Sequence, residues 1–457
     1  MTAPPDLADL SRSELEALVV SLFAQVAALA TVNERLTARL AEVEARLAAP
    51  PKTPDNSSTP PSRGLKANRP ALPPKPGGPR GGHARRLHES PDAVGEVRSQ
   101  ACPHGAHPLS PEAQKLCAVY ARIELPPIQP VVTRVRLHGG VCPSCQRRFE
   151  ALAPEGLERG SPFGRSVEAL AVYLHGVHAV SYERLSRLMA EVFGLTISEG
   201  ALASLLARGG ARLCGAMEGI RARVVASPVI ASDETSARVC GKNHWEWVFL
   251  GARAALHTLA PSRGARVVAD TLGAARPQVW VSDFYGAQGG HAPERQGCLA
   301  HLLRDVRYAA ESGDKILAPK VEHLLLRAID IGRRRDALKD GTLAAYAYDL
   351  DRRLDKLVAL QPASPEGRKL RTRLLRIRND LFVFVTRRDV PATNNACERA
   401  LRPSVIFRKV TNGFRSNWGG QAYAALRSVV GTGNLNGMTP FRAIKAALSG
   451  ENLLAPG

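Results

Sequence analysis

Acid is scarce in this chain. Asp and Glu total 42 against 62 Lys and Arg over 457 residues, a formal charge of +20. An excess of that size points to a polyanionic partner. Cysteine is scarce too: eight residues, unevenly spaced, which excludes a disulfide-stapled secreted scaffold and points to a reducing compartment. Long apolar runs are missing as well. The longest near-apolar stretch, Leu18–Ala30, is interrupted by Ser21 and Gln25 and is too short for a bilayer core of about 30 Å. A secretory leader is not expected, because Asp6 and Asp9 stand where a basic patch would precede an apolar run. The expectation is therefore a cytoplasmic chain with no membrane partner. With 44% apolar residues it has material for a substantial core and several domains.

What the chain does have begins with a seven-residue repeat. Leu15, Leu22, Leu29, Leu36 and Val43 occupy one seam position; Val19, Val26, Asn33, Leu40 and Leu47 occupy the other. Alternating steps of three and four predict a left-handed coiled coil, and Leu at d with Val at a favours two parallel strands. Leu22, Leu29, Leu36 and Leu40 are the expected dimer contacts, with Asn33 fixing register across the seam. A helix packed on its own domain is the plainer alternative. From Pro50 to Val94 the chain carries eleven prolines and the bases Lys52, Arg63, Lys66, Arg69, Lys75, Arg80, Arg85 and Arg86 against only Asp55, Glu89 and Asp92. With no apolar period, that stretch reads as an extended basic linker.

Cys142-Pro-Ser-Cys145 has the spacing of half a zinc knuckle. Its upstream counterpart would be Cys102-Pro-His-Gly-Ala-His107, where Gly105 stands in place of the second Cys. Cys102, Cys142 and Cys145 are three expected Zn²⁺ ligands; His104 or His107 has to supply the fourth, with Cys117 a further candidate. A degenerate knuckle held by packing without metal is the alternative. Val131–Leu137, between the halves, alternates apolar and basic residues like a short strand. Farther on, Ser181–Phe193 and the helix opened by Ser198 flank a short turn at Gly194. That pairing fits a helix-turn-helix with Arg208 and Arg212 toward DNA, although ordinary packing pairs share the pattern.

Pro228–Thr235 is an apolar strand that ends in Asp233 and Glu234. Two hairpin-linked strands follow, around His244–Leu250 and Ala255–Leu259, and Gln278–Asp283 is a further apolar strand with a carboxylate at its end. Two acids where buried strands emerge would lie within reach of one metal ion. A third, Glu398, sits in a helical turn that Asn394 or Asn395 can cap. Glu234 should face away, since adjacent strand residues point to opposite faces. Between Asp283 and Glu398 the pattern is helical over Leu299–Ala310, Lys320–Leu338, Leu343–Leu360 and Gly367–Phe384. From Arg399 to Gly450 there is no acid, but Arg399, Arg402, Arg408, Lys409, Arg415, Arg427, Arg442 and Lys445 are present, a composition suited to phosphate contacts.

These residues resemble the TnpC-type transposases of the IS66 insertion-sequence family, within the DDE superfamily. The resemblance rests on Ser232-Asp233-Glu234-Thr235, Trp245 with Trp247, Asp283-Phe284-Tyr285-Gly286, Cys298-Leu299-Ala300-His301, Asn394-Asn395-Ala396-Cys397-Glu398-Arg399-Ala400-Leu401-Arg402-Pro403 and the tail Thr432–Pro440. It covers nearly the whole chain, with Gly105 and Leu302-Leu303-Arg304 as departures. It implies a multidomain α+β protein whose ribonuclease-H-like α/β core is interrupted by an all-helical insertion. The implied divisions are a coiled-coil helix over 1–49, a linker over 50–95, a zinc-binding-like module over 96–152 and a helical DNA-binding segment over 153–225. The core would occupy 226–297 and 386–430, the insertion 298–385 and a tail 431–457.

The resemblance further implies Asp233, Asp283 and Glu398 as a catalytic triad holding two Mg²⁺ (Mn²⁺ may substitute). Its reaction would be cleavage of transposon-end DNA followed by attack of the freed 3′-hydroxyl on target DNA. Two such ions about 3.5–4 Å apart suit in-line phosphodiester chemistry. Cys298 and His301 would buttress that site or contact DNA, together with Arg304. Partners would be double-stranded DNA, a second copy of the chain and helper proteins of the same element, in a bacterial nucleoid. A catalytically inactive end-binding protein or repressor is the competing reading, and a ribonuclease-H or junction nuclease a third.

Overall fold

The computed structural model describes residues 10–48, 50, 52–53 and 90–453. The basic linker, with Arg63, Lys66, Arg69, Lys75, Arg80, Arg85 and Arg86, lies outside the described residues apart from its ends.

The heptad segment is one uninterrupted helix, α1 (Arg12–Ala48). Its start is a capping box: the backbone N–H of Ser11 donates to Glu14 Oε2 at 2.8 Å and the backbone N–H of Glu14 to Ser11 Oγ at 3.4 Å. The seam residues Val19, Leu22, Val26, Leu29, Leu36 and Leu40 are all exposed. Arg12–Leu40 is also long and apolar enough to cross a membrane by length and composition, its most apolar 18-residue window having a mean hydropathy of 2.0. The run Leu18–Ala30 taken alone understates this, because the helix continues apolar beyond it. The 3.5-residue spacing of its largest side chains is a property a lipid-facing helix does not require.

After the linker come β1 (Gly139–Val141) and β2 (Arg148–Glu150), a short antiparallel pair. Val131–Leu137 forms no strand and is largely exposed; alternation without a partner strand leaves the backbone bonded to water. Four helices follow: α2 (Arg165–Val172), continued by a π-helical turn over Tyr173–Val177, then α3 (Tyr182–Phe193), α4 (Glu199–Gly215) and α5 (Met217–Val225). Gly194 ends α3 in the left-handed conformation, φ 63°, and the Ser198 hydroxyl caps α4.

The central sheet is built from β3 (Val229–Val239), β4 (Lys242–Leu250) and β5 (Ala255–Ala260), then, after α6 (Ala265–Leu272), β6 (Val279–Ser282) and β7 (Glu294–Gly297). Its order is β5-β4-β3-β6-β7; the first three are antiparallel, while β6 runs parallel to β3 and β7 to β6. The first residues of β3, the second half of β4 and all but the last residue of β6 are apolar on both faces, as suits a sheet covered on both sides. Ile230, Trp247, Phe249 and Trp280 join the core built with α2–α6, α13 and α14; Ala231, Val248, Val279 and Val281 join a second core with the helices after β7.

Those helices are α7 (Leu299–Glu311), α8 (Ala318–Arg334), α9 (Asp340–Val358), α10 (Pro365–Ile377) and the short α11 (Val383–Thr386). The pattern read as continuous over Gly367–Phe384 thus breaks after Ile377. The chain closes with α12 (Asn395–Thr411), α13 (Asn417–Leu435) and α14 (Pro440–Leu448). Hydroxyls of α13 complete the outer strand: Ala255 N–H donates to Thr432 Oγ1 at 3.1 Å and His257 N–H to Ser428 Oγ at 2.7 Å, covering an edge that would otherwise pair with another chain. Close approach of α4 to α13 depends on Gly210, where a Cβ would lie 2.4 Å from that of Ala422.

Candidate active site

Strands β3 and β6 pair Val229 with Val279, Ile230 with Trp280 and Ala231 with Val281. The same offset carried forward sets Asp233 beside Asp283, one inside β3 and the other just past the end of β6. Residues in register on neighbouring strands share a face, and this is the face packed by the helices after β7. Each carboxylate is held locally: Glu234 N–H donates to Asp233 Oδ1 at 2.9 Å, and Tyr285 N–H to Asp283 Oδ1 at 2.9 Å. Arg295 donates to the Asp283 carbonyl and, at 3.2 Å, to Ser282 Oγ, steadying the turn behind Asp283.

Glu398 comes from the first turn of α12. Asn394 is the residue before that helix, but its side chain makes no cap. It reaches the sheet instead, Nδ2 donating to the Ser232 carbonyl at 2.8 Å, while its backbone N–H donates to Cys298 Sγ at 3.1 Å. Leu299 N–H bonds the Ala392 carbonyl at 3.1 Å, so the starts of α7 and α12 are tied together against β3. Burial pushes the Asp233 carboxyl well above its usual range, and the neighbouring negative charges of Glu234, Asp283 and Glu398 push it the same way.

Asp233, Asp283 and Glu398 offer only hard carboxylate oxygens, the donors magnesium takes, and Glu398 Oε1 is buried without a hydrogen-bond partner. The set fits a divalent cation chemically. Its ligand atoms are not gathered to binding distance; among the described residues the one group that is consists of Cys298, His301 and Glu398. His301 Nε2 lies 3.6 Å from Glu398 Oε1.

Glu234 points elsewhere. Its Oε1 accepts from Arg263 Nε at 2.8 Å and its Oε2 from Gln288 Nε2 at 2.6 Å. Arg263 in turn is sandwiched between the rings of Trp245 (4.7 Å) and Tyr285 (3.9 Å). Sequence reasoning missed Arg263, because the loop before α6 gives no sign of which strand it returns to.

Of the residues expected at DNA, Arg399, Arg402, Lys409 and Arg415 are exposed along and just beyond α12, and Arg208 is exposed on α4. Arg304 and His301 are half-buried in α7. Arg408 donates to Ser236 Oγ at 2.7 Å. Arg212 is engaged by buried Glu168, Nη1 to Oε2 at 2.8 Å, and α4 is packed through Leu202, Leu205, Leu206 and Leu213. Arg427 is only 6% exposed and leaves the free basic set. A basic face the sequence reading passed over is on α10, where Arg368, Lys369, Thr372, Arg373 and Arg376 line an open cavity of about 570 Å³. Their spacing was the available signal.

The two cysteine turns are near copies. Cys102 N–H bonds the His107 carbonyl at 2.9 Å and Cys142 N–H the Arg147 carbonyl at 2.9 Å; Ala106 N–H and Gln146 N–H return to the two Cys carbonyls at 2.9 and 2.8 Å. Ala106 (φ 53°) and Gln146 (φ 56°) are both left-handed. A Cβ added to Gly105 would lie 3.2 Å from His107 Nε2, so the imidazole occupies the space of the missing thiol. Backbone N–H groups of Cys145 and Ser144 lower the Cys142 thiol. No three of Cys102, His107, Cys142 and Cys145 are gathered to ligand distance, and Cys117 is exposed, its thiol turned to the Lys115 carbonyl.

A family model described as "Transposase IS66 family" matches residues 160–422, more than half of the chain and inclusive of all three acids. Comparison with curated proteins gives no match.

Proposed function

The chain belongs to the IS66 family of transposases, and from that premise we propose that it is a DDE enzyme that cleaves transposon-end DNA and joins the freed 3′-hydroxyl to target DNA. The observation that carries this reading is the shared register of Asp233 and Asp283, with α12 tied to the same strand through Asn394 and Ser232. The sheet order β5-β4-β3-β6-β7, three antiparallel strands continued by two parallel ones, supports a ribonuclease-H-like core.

In this reading Asp233, Asp283 and Glu398 hold divalent magnesium, which when bound supplies Lewis-acid polarisation of the scissile phosphate and a more acidic attacking water. Burial of Asp233 among other carboxylates supports that role, since a bound cation would offset the repulsion and the desolvation that raise its pKa. Arg399, Arg402, Lys409 and Arg415, exposed along and just beyond the helix that carries Glu398, neutralise backbone phosphates of the end duplex, with a contribution that falls as salt rises. Two chains act together through α1, and Cys102, His107, Cys142 and Cys145 hold a structural zinc.

The test is nicking of a supercoiled plasmid carrying the element's ends by the purified full chain. Nicking that requires Mg²⁺ and is absent in Asp233→Ala is expected; equal nicking by Asp233→Ala overturns the reading.

A further inference from the structure

Cys298 and His301 stand three residues apart at the start of α7, and the carboxylate nearest them in sequence, Asp305, is engaged by Arg373. The fold supplies another. Glu398, from the first turn of α12, brings a carboxylate oxygen to them, and one ligand atom from each of the three residues lies within 4.8 Å of the others. His301 Nε2 and Glu398 Oε1 are already 3.6 Å apart. Zinc bonds of about 2.3 Å to sulfur and 2.0–2.2 Å to nitrogen and oxygen put tetrahedral neighbours roughly 3.3–3.7 Å apart. Cys298 is fully buried, Glu398 Oε1 is buried without a hydrogen-bond partner, and the Asn394 N–H points at Cys298 Sγ, where it stabilises sulfur carrying negative charge.

We propose that Cys298, His301 and Glu398 form a site for a borderline-soft divalent cation of the zinc class, which holds Glu398 where it stands and, by competing with the Asp233 and Asp283 site for that carboxylate, silences the enzyme. The second half of this statement rests on the transposase reading; the first does not. The donor set separates the two kinds of ion. Thiolate and imidazole favour zinc-like cations and offer nothing to magnesium, which takes oxygen donors in octahedral array. Glu398 Oε1 is the oxygen that faces His301 Nε2, so a cation held by Cys298 and His301 competes with the oxygen-ligated ions for that carboxylate. Three protein ligands leave a fourth position open to water, so the site is of the exchangeable kind rather than the closed structural kind.

Cobalt(II) serves as the spectroscopic probe. Titrated into the full chain and into Cys298→Ser, it should show one more thiolate-bound equivalent, by charge-transfer absorption, in the unsubstituted protein. Identical spectra and stoichiometry overturn the site. Should Cys298→Ser fail to fold by circular dichroism, His301→Gln is titrated instead; at least tenfold weaker binding of that equivalent is expected, and unchanged binding overturns the site. Zinc at one equivalent above the knuckle's content should then reduce Mg²⁺-dependent nicking at least tenfold, and undiminished nicking overturns the silencing. The cobalt result decides the site alone, so a chain that never nicks DNA, which would sink the transposase reading, leaves that decision intact.

Discussion

Asn394 Nδ2 donates to the carbonyl oxygen of Ser232 at 2.8 Å, across 162 residues of chain. Because the same residue's N–H bonds Cys298 Sγ at 3.1 Å, a single side chain and its backbone join the strand before Asp233, the start of α7 and the helix that carries Glu398. Asn394→Ala leaves the Ser232 carbonyl without its partner in a buried place, a loss of about 1–3 kcal/mol. Denaturant unfolding should register that loss. Plasmid nicking should fall at least tenfold while retardation of end DNA stays within about twofold, since the phosphate contacts lie elsewhere. Nicking unchanged by Asn394→Ala would show that Glu398 needs no such tie.

The two in-register acids make a sharper prediction. Asp283→Asn keeps the shape and removes the charge, so cleavage should be abolished with end binding nearly intact; parallel loss of both would refute the assigned role. Asp233→Asn should also raise the melting temperature of the metal-free protein. With its folded pKa raised, the native state holds this proton more tightly than the unfolded chain, so the carboxylate costs stability as pH rises above its ordinary pKa. The amide removes that cost, and melts at acid and neutral pH check it.

Much of this arrangement is legible in the residues themselves. Val229–Ala231, Val279–Val281 and the run Trp245–Leu250 are apolar enough to declare buried strands, and the short turns between β3, β4 and β5 set the antiparallel order of those three. Strand β7 is not legible: Glu294-Arg295-Gln296-Gly297 has no apolar pattern, and it pairs because β6 offers an open edge. Arg212 and Arg427 look like phosphate ligands in sequence, yet Glu168 engages the first, and the second is buried on α13, donating to the Ala400 carbonyl of α12. Asn394 looks like a helix cap and becomes a cross-strand tie. Cys298 and His301 appear without partners because Glu398 meets them only after a helical insertion has folded between.

A buried polar group joins β4, β5 and α12. His257 Nδ1 lies 2.8 Å from Glu246 Oε1, which also accepts from Ser404 Oγ at 2.8 Å. A carboxylate only accepts, so His257 donates from Nδ1. Burial lowers its pKa, Arg427 adds to the lowering, and Glu246 opposes it. The unfolded chain therefore binds a proton that the native state refuses. Stability should fall as pH drops below the ordinary histidine value of about 6.5. His175, lowered by burial as well, adds the same sign. Thermal melts from neutral to mildly acid pH should show that slope, reduced by about one proton in His257→Gln. A slope unchanged by the substitution would remove His257 from the account.

The cysteine turns predict a rescue. With His107 Nε2 standing where a Cβ at Gly105 would come within 3.2 Å, His107→Ala should weaken zinc binding at least tenfold. Adding Gly105→Cys to that variant should restore it, since the turn around Cys102 shares its two closing hydrogen bonds with the one around Cys142. Metal content after dialysis against a chelator, measured in the Cys298→Ser background, counts this site alone. Failure of the double variant to recover zinc would leave the module a packed relic of a knuckle.

The exposed seam of α1 carries the last prediction. Val19, Leu22, Val26, Leu29, Leu36 and Leu40 are 49%, 50%, 62%, 67%, 59% and 59% exposed, a stripe too apolar to face water along a helix of 37 residues. Burying it against a second copy is the arrangement that heptad spacing specifies, and Asn33 in the seam selects the parallel, in-register pair over offset ones at some loss of stability. Deleting residues 1–48 should therefore give a monomer by light scattering, while Asn33→Leu should give a tighter but mixed population of oligomers. Retention of a dimer after the deletion would place the contact between the globular parts and leave α1 to another partner.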